Sequence, residues 1–392
     1  MNNKIYINVV LFLLIIVAVF DLFIEEHDEN RFLALYTQGL ILAVSFIFFI
    51  RTIFLEEIKP TGFHYSLCAF IMMLIIYGIF SPYIDRLLVI LYGMVPFYLF
   101  YYAAYKGHID ERYIQYLAII LLTIYSIETY LSIIDRSERL DEFYLRADNV
   151  GYKSMFLMLL FALKIKYQKN ILFLSLAYIL VLLSFKRGAM LIATVSYLVI
   201  IIPILMNNKG LLLRYNKKLW AGGFVALATV GSLVVQYWDT LVYRFISDPT
   251  GSGRADIYAL TFQGWANADI INKIVGFGFY SVPQYLGMTR GSEIHAHSDW
   301  VQLVYDHGMI GIAIYLFLFF SLIGYNRIIR YTAPEYRQIY LMIICIWLLK
   351  SFVSGVYISK LSIMMFIVLG IVLGTTFRKR LLLRYESTKT KI

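Results

Sequence analysis

Apolar residues fill this chain in successive runs of about 17–23, the length an α-helix needs to cross a ~30 Å hydrocarbon core at about 1.5 Å per residue. Of the 392 residues 60% are hydrophobic, against about 45–50% in a soluble domain, and the excess sits in those runs. In lipid only helices and closed barrels satisfy their backbone polar groups, and the alternating ten-residue strands of a barrel are absent. The fold class expected is therefore all-α, a polytopic integral membrane protein of about twelve transmembrane helices. The spans fall at 5–24, 33–50, 63–80, 87–105, 113–134, 150–166, 170–185, 188–206, 219–237, 308–325, 338–354 and 361–377. Each reads as uninterrupted; the sixth and seventh are short. The first run shows no A-x-A-like cleavage site, so it reads as a retained span.

An even number of spans puts both termini on one side, and charge selects the side. Lys209, Arg214, Lys217 and Lys218 crowd one connection, and Arg378, Lys379, Arg380, Arg384, Lys389 and Lys391 follow the last span. The alternate connections are rich in acids, as in Glu25, Glu26, Asp28 and Glu29. Lysine and arginine are retained in the cytoplasm, so both termini are expected there. The net charge of +10 is then mostly topology and calls for no nucleic-acid partner. Cys68 and Cys345 lie inside apolar runs, where neither a structural disulfide nor a zinc site is expected.

The chain divides into 1–237, with helices one to nine; 238–307, a large extracytoplasmic loop; and 308–392, with helices ten to twelve and a basic cytoplasmic tail. About seventy structureless residues would be unusual, so the loop is expected to fold into short membrane-facing helices. Ile257, Leu260 and Trp265 have helical spacing after Gly251-Ser252-Gly253. Ser298 stands where it would cap a helix over Asp299–Asp306, and Gly276 and Gly278 mark a tight turn between the two.

This loop holds the residues best suited to chemistry. His297 precedes a helix start and can take a proton near neutral pH, as a general base does; an ordinary solvated loop histidine has the same look. His295 and His297, with Glu293 and Asp299 nearby, could instead ligate a metal, but spacing fixes no third ligand. Arg254 follows Gly-Ser-Gly at a helix start, where backbone N–H groups and a guanidinium fork together suit a phosphate; Arg244 is similar and less specific. Lys186-Arg187 forms a cationic turn on the side poor in cations, either snorkelling to lipid phosphate or holding an anionic head group. Asp21, Glu128 and Lys350 are ionisable groups within or beside spans and outline no ion path.

Taken together, Ser184-Phe-Lys-Arg-Gly188, the late loop with Gly-Ser-Gly-Arg254, Gly276-Phe-Gly-Phe279 and His297-Ser-Asp-Trp-Val-Gln-Leu-Val-Tyr-Asp-His-Gly-Met-Ile-Gly311 resemble the O-antigen polymerase and O-antigen ligase superfamily. The resemblance covers 180–325 in motif detail and the rest as hydropathy. It implies a bacterial cytoplasmic (inner) membrane enzyme that moves glycans from an undecaprenyl-pyrophosphate-linked oligosaccharide outside the membrane, by inverting transfer without metal or cofactor. Carried over, Arg187 and Arg254, with Arg244 and Lys186 as further candidates, hold the pyrophosphate. His297 activates or aligns the acceptor hydroxyl, with His295 and Asp299 as acceptor-side or supporting residues. Ser298 stands where the family commonly has asparagine, and the second histidine leaves open which of the two is essential. The expected activity is polymerisation of repeat units into O-antigen or capsular polysaccharide, with membrane lipid as surroundings and a chain-length regulator protein as a further partner. The alternatives are ligation to lipid A core or another acceptor and, from a different class, a lipid-linked oligosaccharide flippase. A flippase is expected to show interrupted helices and short external loops.

Overall fold

The computed structural model describes residues 3–23, 31–55, 57–138, 149–163, 168–207 and 253–389. Among them there is no strand, and eight helices are long and apolar enough to cross a membrane, with three shorter apolar ones beside them. In chain order the helices are α1 (Asn3–Phe23), α2 (Arg31–Ile53), α3 (Gly62–Gly78), α4 (Ile84–Met94), α5 (Pro96–Lys106), α6 (Glu111–Glu138), α7 (Val150–Ala162), α8 (Gln168–Leu183) and α9 (Arg187–Asn207). Then come α10 (Arg254–Ala266), α11 (Ile270–Val275), α12 (Ser281–Arg290), α13 (Asp299–Thr332), α14 (Arg337–Val353) and α15 (Ile363–Lys389). The protein is an all-α, multi-pass membrane fold. The expected span 219–237 lies outside the described residues.

Several expectations are corrected in detail. The span 87–105 stands as one crossing, Ile84–Lys106, made of two helical segments because Pro96 has no N–H to donate and breaks the ladder after Val95. The sixth span ends at Ala162, and every residue from Val150 to Ala162 is buried. At about 1.5 Å per residue such a short helix need not meet lipid along its length, because it is walled by other helices. The last helix runs to Lys389, so the basic tail continues the helix rather than leaving it at residue 377.

The core is built around α5 and α15. Gly370 and Gly374, four residues apart, face the α5 backbone so closely that a Cβ at either would lie 2.6 Å from the Phe97 carbonyl oxygen or 2.5 Å from that of Tyr101. Small residues at this spacing let helices approach where no hydrophobic driving force exists between them. Phe97, Tyr98, Phe100 and Tyr101 fill the space on either side of α5 and are fully buried.

The charges within the bundle are paired. Lys360 meets Asp21 at 2.7 Å and Lys153 meets Glu128 at 2.5 Å. Lys350, 1% exposed, donates to the Gly355 carbonyl, so it neither snorkels nor lines a path. Connections alternate between two ends of the bundle. One end gathers the α3–α4 turn, the 184–188 turn, residues 253–298 and the 354–362 connection; the site described next is built there.

Candidate functional site

The site begins with a helix end. An α-helix leaves its last four carbonyls without intrahelical donors. At the end of α14, the Lys350 carbonyl accepts from the N–H groups of Ser354 and Gly355. The next three carbonyls go to side chains from elsewhere in the chain. Ser298 Oγ donates to the Ser351 oxygen at 3.2 Å, the Tyr258 hydroxyl lies 3.1 Å from the Phe352 oxygen, and Arg254 donates to the Val353 oxygen at 2.8 Å. The α14 terminus thus serves as a frame on which α10 and the 295–298 segment are hung. Ser298 does stand at the first position before α13, but its hydroxyl serves α14 and not its own helix.

Asp299 locks that frame from the other side. Both carboxylate oxygens lie 2.8 Å from the Val356 nitrogen, and Oδ2 accepts from Tyr315 at 2.7 Å. Trp347 donates to the same Tyr315 hydroxyl and Trp300 to Ser351 Oγ. Asp299 is fully buried, so its position is one of support for the 354–357 turn.

The 184–188 turn closes the site. Ser184 Oγ donates to the Val181 carbonyl and accepts from the Lys186 N–H, which turns the chain sharply between α8 and α9. Lys186 reaches Asn149 Oδ1 at 3.3 Å, and its ammonium stands 6.0 Å from the Tyr152 ring. Lys350 lies over the same ring at 5.0 Å. Gly188 is where Tyr152 passes: a Cβ there would lie 2.6 Å from the Tyr152 hydroxyl and 2.9 Å from Val353. Arg187 opens α9 in this turn.

Arg254, Lys186 and Lys350 gather round Tyr152, and all three act on His297. Burial first, then Arg254, Lys186 and Lys350, push its pKa down to about 4, so the imidazole is neutral at neutral pH and can accept a proton. Arg254 forms no ion pair with a carboxylate among the described residues; it is oriented by a carbonyl and stands beside Tyr152. His295 lies on another side: its Nε2 shares a 2.7 Å hydrogen bond with the Tyr280 hydroxyl, and burial, His297 and Arg86 bring its pKa down to about 4. Among the described residues no three His, Cys, Asp or Glu gather as metal ligands.

Backbone strain marks the same place. Among the described residues, Phe185, Tyr280 and His297 are the non-glycine residues with positive φ, at 52°, 63° and 56°. Each costs about 1–3 kcal/mol and persists only where surroundings enforce it. One neighbours Lys186, one binds His295 and one is the candidate base.

The two glycine motifs form a latch under the site. Gly308 interrupts α13 with φ 59° and ψ −156°, which frees the Tyr305 and Asp306 carbonyls from intrahelical bonding. They accept from the N–H groups of Phe277 and Gly278 at 3.0 and 2.9 Å. A Cβ on Gly276 would lie 2.3 Å from the Asp306 oxygen, and one on Gly308 2.5 Å from the Ile274 oxygen. The Asp306 carboxylate then accepts from the Ser281 and Val282 N–H groups, capping α12 from a distance.

The structure brings together Arg254, Lys186 and His297, with His295 adjoining and Asp299 behind; Arg244 lies outside the described residues. Sequence reading missed Tyr152 and Tyr258 and gave Lys350 no part in the site. The Ser354-Gly355 pair after an apolar run was the available signal for a helix end there.

Residues 171–316 match the family model described as O-antigen ligase. No curated protein matches the chain. The matched stretch runs from α8 through the turn, Arg254 and both histidines into α13, and over it this multi-pass protein is similar to the O-antigen ligase family.

Proposed function

We propose that the protein polymerises polyprenyl-diphosphate-linked oligosaccharide repeat units on the extracytoplasmic face of a bacterial inner membrane, with both termini in the cytoplasm. The observation that carries this reading is the convergence of Arg254, the 184–188 turn and His297 on the end of α14. The acceptor hydroxyl oxygen attacks the anomeric carbon of the donor glycan and gives its proton to the His297 imidazole. The bond from that carbon to the lipid diphosphate breaks, and the diphosphate leaves with the electron pair. In-line displacement inverts the anomeric centre. Arg254 and Lys186, with Arg187 from the same turn, meet the charge that develops on the diphosphate. One preorganised donor of this kind is worth about 3–4 kcal/mol of barrier, and a positioned base about 10²–10⁴ in rate. The activated lipid diphosphate supplies the driving force, so no nucleotide is needed.

Ligation to lipid A core or another acceptor is the second reading. The matched family's own description favours it, and it shares the donor chemistry. Purified protein in nanodiscs, given one lipid-diphosphate repeat unit with EDTA present, tests both. A ladder of products from that substrate alone supports the polymerase. Transfer only after lipid A core is added makes it a ligase, and silence in both removes the transferase reading.

A further inference from the structure

A second polar surface adjoins the His297 site and plays no part in the diphosphate chemistry above. The α3–α4 turn docks on the 279–284 segment, about 200 residues away in sequence. Ser81 Oγ donates to the Phe279 carbonyl and Gln284 Nε2 donates to the Tyr83 hydroxyl. The Tyr83 and Tyr280 rings meet at 5.0 Å between centroids, and the Arg86 guanidinium stands 5.9 Å from the Tyr280 ring. Tyr280 in turn holds His295, whose Nδ1 is buried and has no hydrogen-bond partner among the described residues.

We propose that Tyr83, Asp85, Arg86, Gln284 and the Tyr280–His295 pair form a subsite for a sugar ring of the acceptor glycan. The proposal rests on the transferase reading of the His297 site. Three features point to a neutral polyol and not to a second phosphate. Asp85 and Arg86 sit together, 57% and 34% exposed, in a loose pair at 3.6 Å, so their charges offset and each keeps bonding capacity for hydroxyls. A primary amide beside a half-exposed tyrosine offers hydrogen bonds beside an aromatic face, the few convergent polar groups that orient a ligand in an otherwise apolar site. Burial, His297 and Arg86 keep His295 neutral, its pKa near 4, so it adds a polar atom without a charge. The left-handed backbone at Tyr280, whose N–H lies 3.2 Å from Asp306 Oδ2, is strain of the kind that accompanies a built site. Since His295 is two residues from His297, a ring seated here carries its hydroxyl toward the base, while the diphosphate lies on the side of Arg254 and Lys186.

The probe is the free oligosaccharide released by mild acid from the lipid-linked units of cells lacking this chain. It has the acceptor hydroxyl and no diphosphate. Its binding to nanodisc protein is read by saturation-transfer NMR, and its use as acceptor by product formation from the intact lipid-linked donor. Wild-type protein is expected to bind it. Tyr83→Ala and Arg86→Gln should each raise the acceptor KM about tenfold or more, a loss of one good contact, with donor KM unchanged and kcat within about threefold. Tyr83→Phe, which keeps the ring, should stay near wild type, which separates the aromatic face from the hydroxyl that Gln284 meets. Unchanged acceptor KM in Tyr83→Ala and Arg86→Gln, equal rises in donor and acceptor KM, or Tyr83→Phe failing as badly as Tyr83→Ala would each overturn the subsite. Failure of the transferase reading looks different: sugar binding that Tyr83→Ala abolishes, with no product from any donor, leaves the subsite standing and removes the reaction. Wild-type protein that does not bind the sugar overturns the subsite even where product forms.

Discussion

His297 meets two demands that pull in the same direction. Burial and three cations both favour the neutral ring, so its pKa lies near 4 and not near 6.5. The acid limb of kcat/KM is therefore expected near pH 4–5, with activity flat through 6.5. Arg254→Gln removes one of the cations and should move that limb upward while lowering the rate. A limb at 6.5 in the unchanged protein would refute the cationic setting. Stability carries the matching sign. Folded His295 and His297 bind protons less readily than the unfolded chain. At these two sites the unfolded state thus holds more protons between about pH 4 and 6.5, and their contribution to stability falls as pH drops through that window. Arg254→Lys probes shape apart from charge: it keeps the cation and loses the planar fork that grips the Val353 carbonyl and, in the proposed reaction, the diphosphate. A loss of about tenfold or more in kcat/KM is expected, and parity with wild type would make Arg254 a point charge only. Arg254 and His297 were legible in the sequence because each stands beside turn or helix-start residues with a chemical reason to be there. Tyr152 and Tyr258 were not, because nothing near them in the chain announces that α7, α10 and the end of α14 converge.

At the scale of elements, the site depends on two helix interruptions that hand backbone groups to other segments. The α14 terminus gives three carbonyls to Ser298, Tyr258 and Arg254, and the break at Gly308 gives two to Phe277 and Gly278. Gly308→Ala attacks the second directly. Its backbone angles lie in a region open essentially to glycine alone, and the new methyl meets the Ile274 carbonyl. Together these cost at least about 1–3 kcal/mol. The expected outcome is a lower unfolding midpoint in detergent and faster proteolysis within 270–298, where α12 loses the register that Asp306 provides. A midpoint equal to wild type would mean the latch carries no stability. The glycines themselves were visible in the sequence as turn signals, and the helices over 254–265 and from 299 followed from apolar spacing and a cap. What stayed hidden was that the two glycine motifs face each other, since pairing between segments about thirty residues apart leaves no mark in local periodicity. Hydropathy also set the end of the loop at 307, whereas the polar piece Asp299–His307 and the apolar helix after it are one element bent at Gly308.

For the whole molecule, hydropathy located the apolar helices: among the described residues eight expected spans fall on helices long enough to cross a membrane and three on shorter apolar ones, because lipid forces each span to satisfy its own backbone. The burial of α7 and the glycine contact between α5 and α15 came from packing, which hydropathy does not encode. Alternation of the connections makes a global prediction. The 253–298 segment and the far end of α15 must open on opposite sides of the membrane, and the positive-inside rule assigns α15 to the cytoplasm. Met288, 85% exposed, and Leu383, 54% exposed, report the two sides. In a Cys68→Ala, Cys345→Ala background, Met288→Cys should react with a membrane-impermeant maleimide in intact spheroplasts. Leu383→Cys should react only after permeabilisation. The reverse pattern would put His297 and Arg254 in the cytoplasm, where a lipid-linked glycan exported for polymerisation could not reach them, and the reaction proposed here would fall with the topology. Labelling of both from outside would mean that an even number of crossings separates Met288 from Leu383, which the three helices α13, α14 and α15 do not allow.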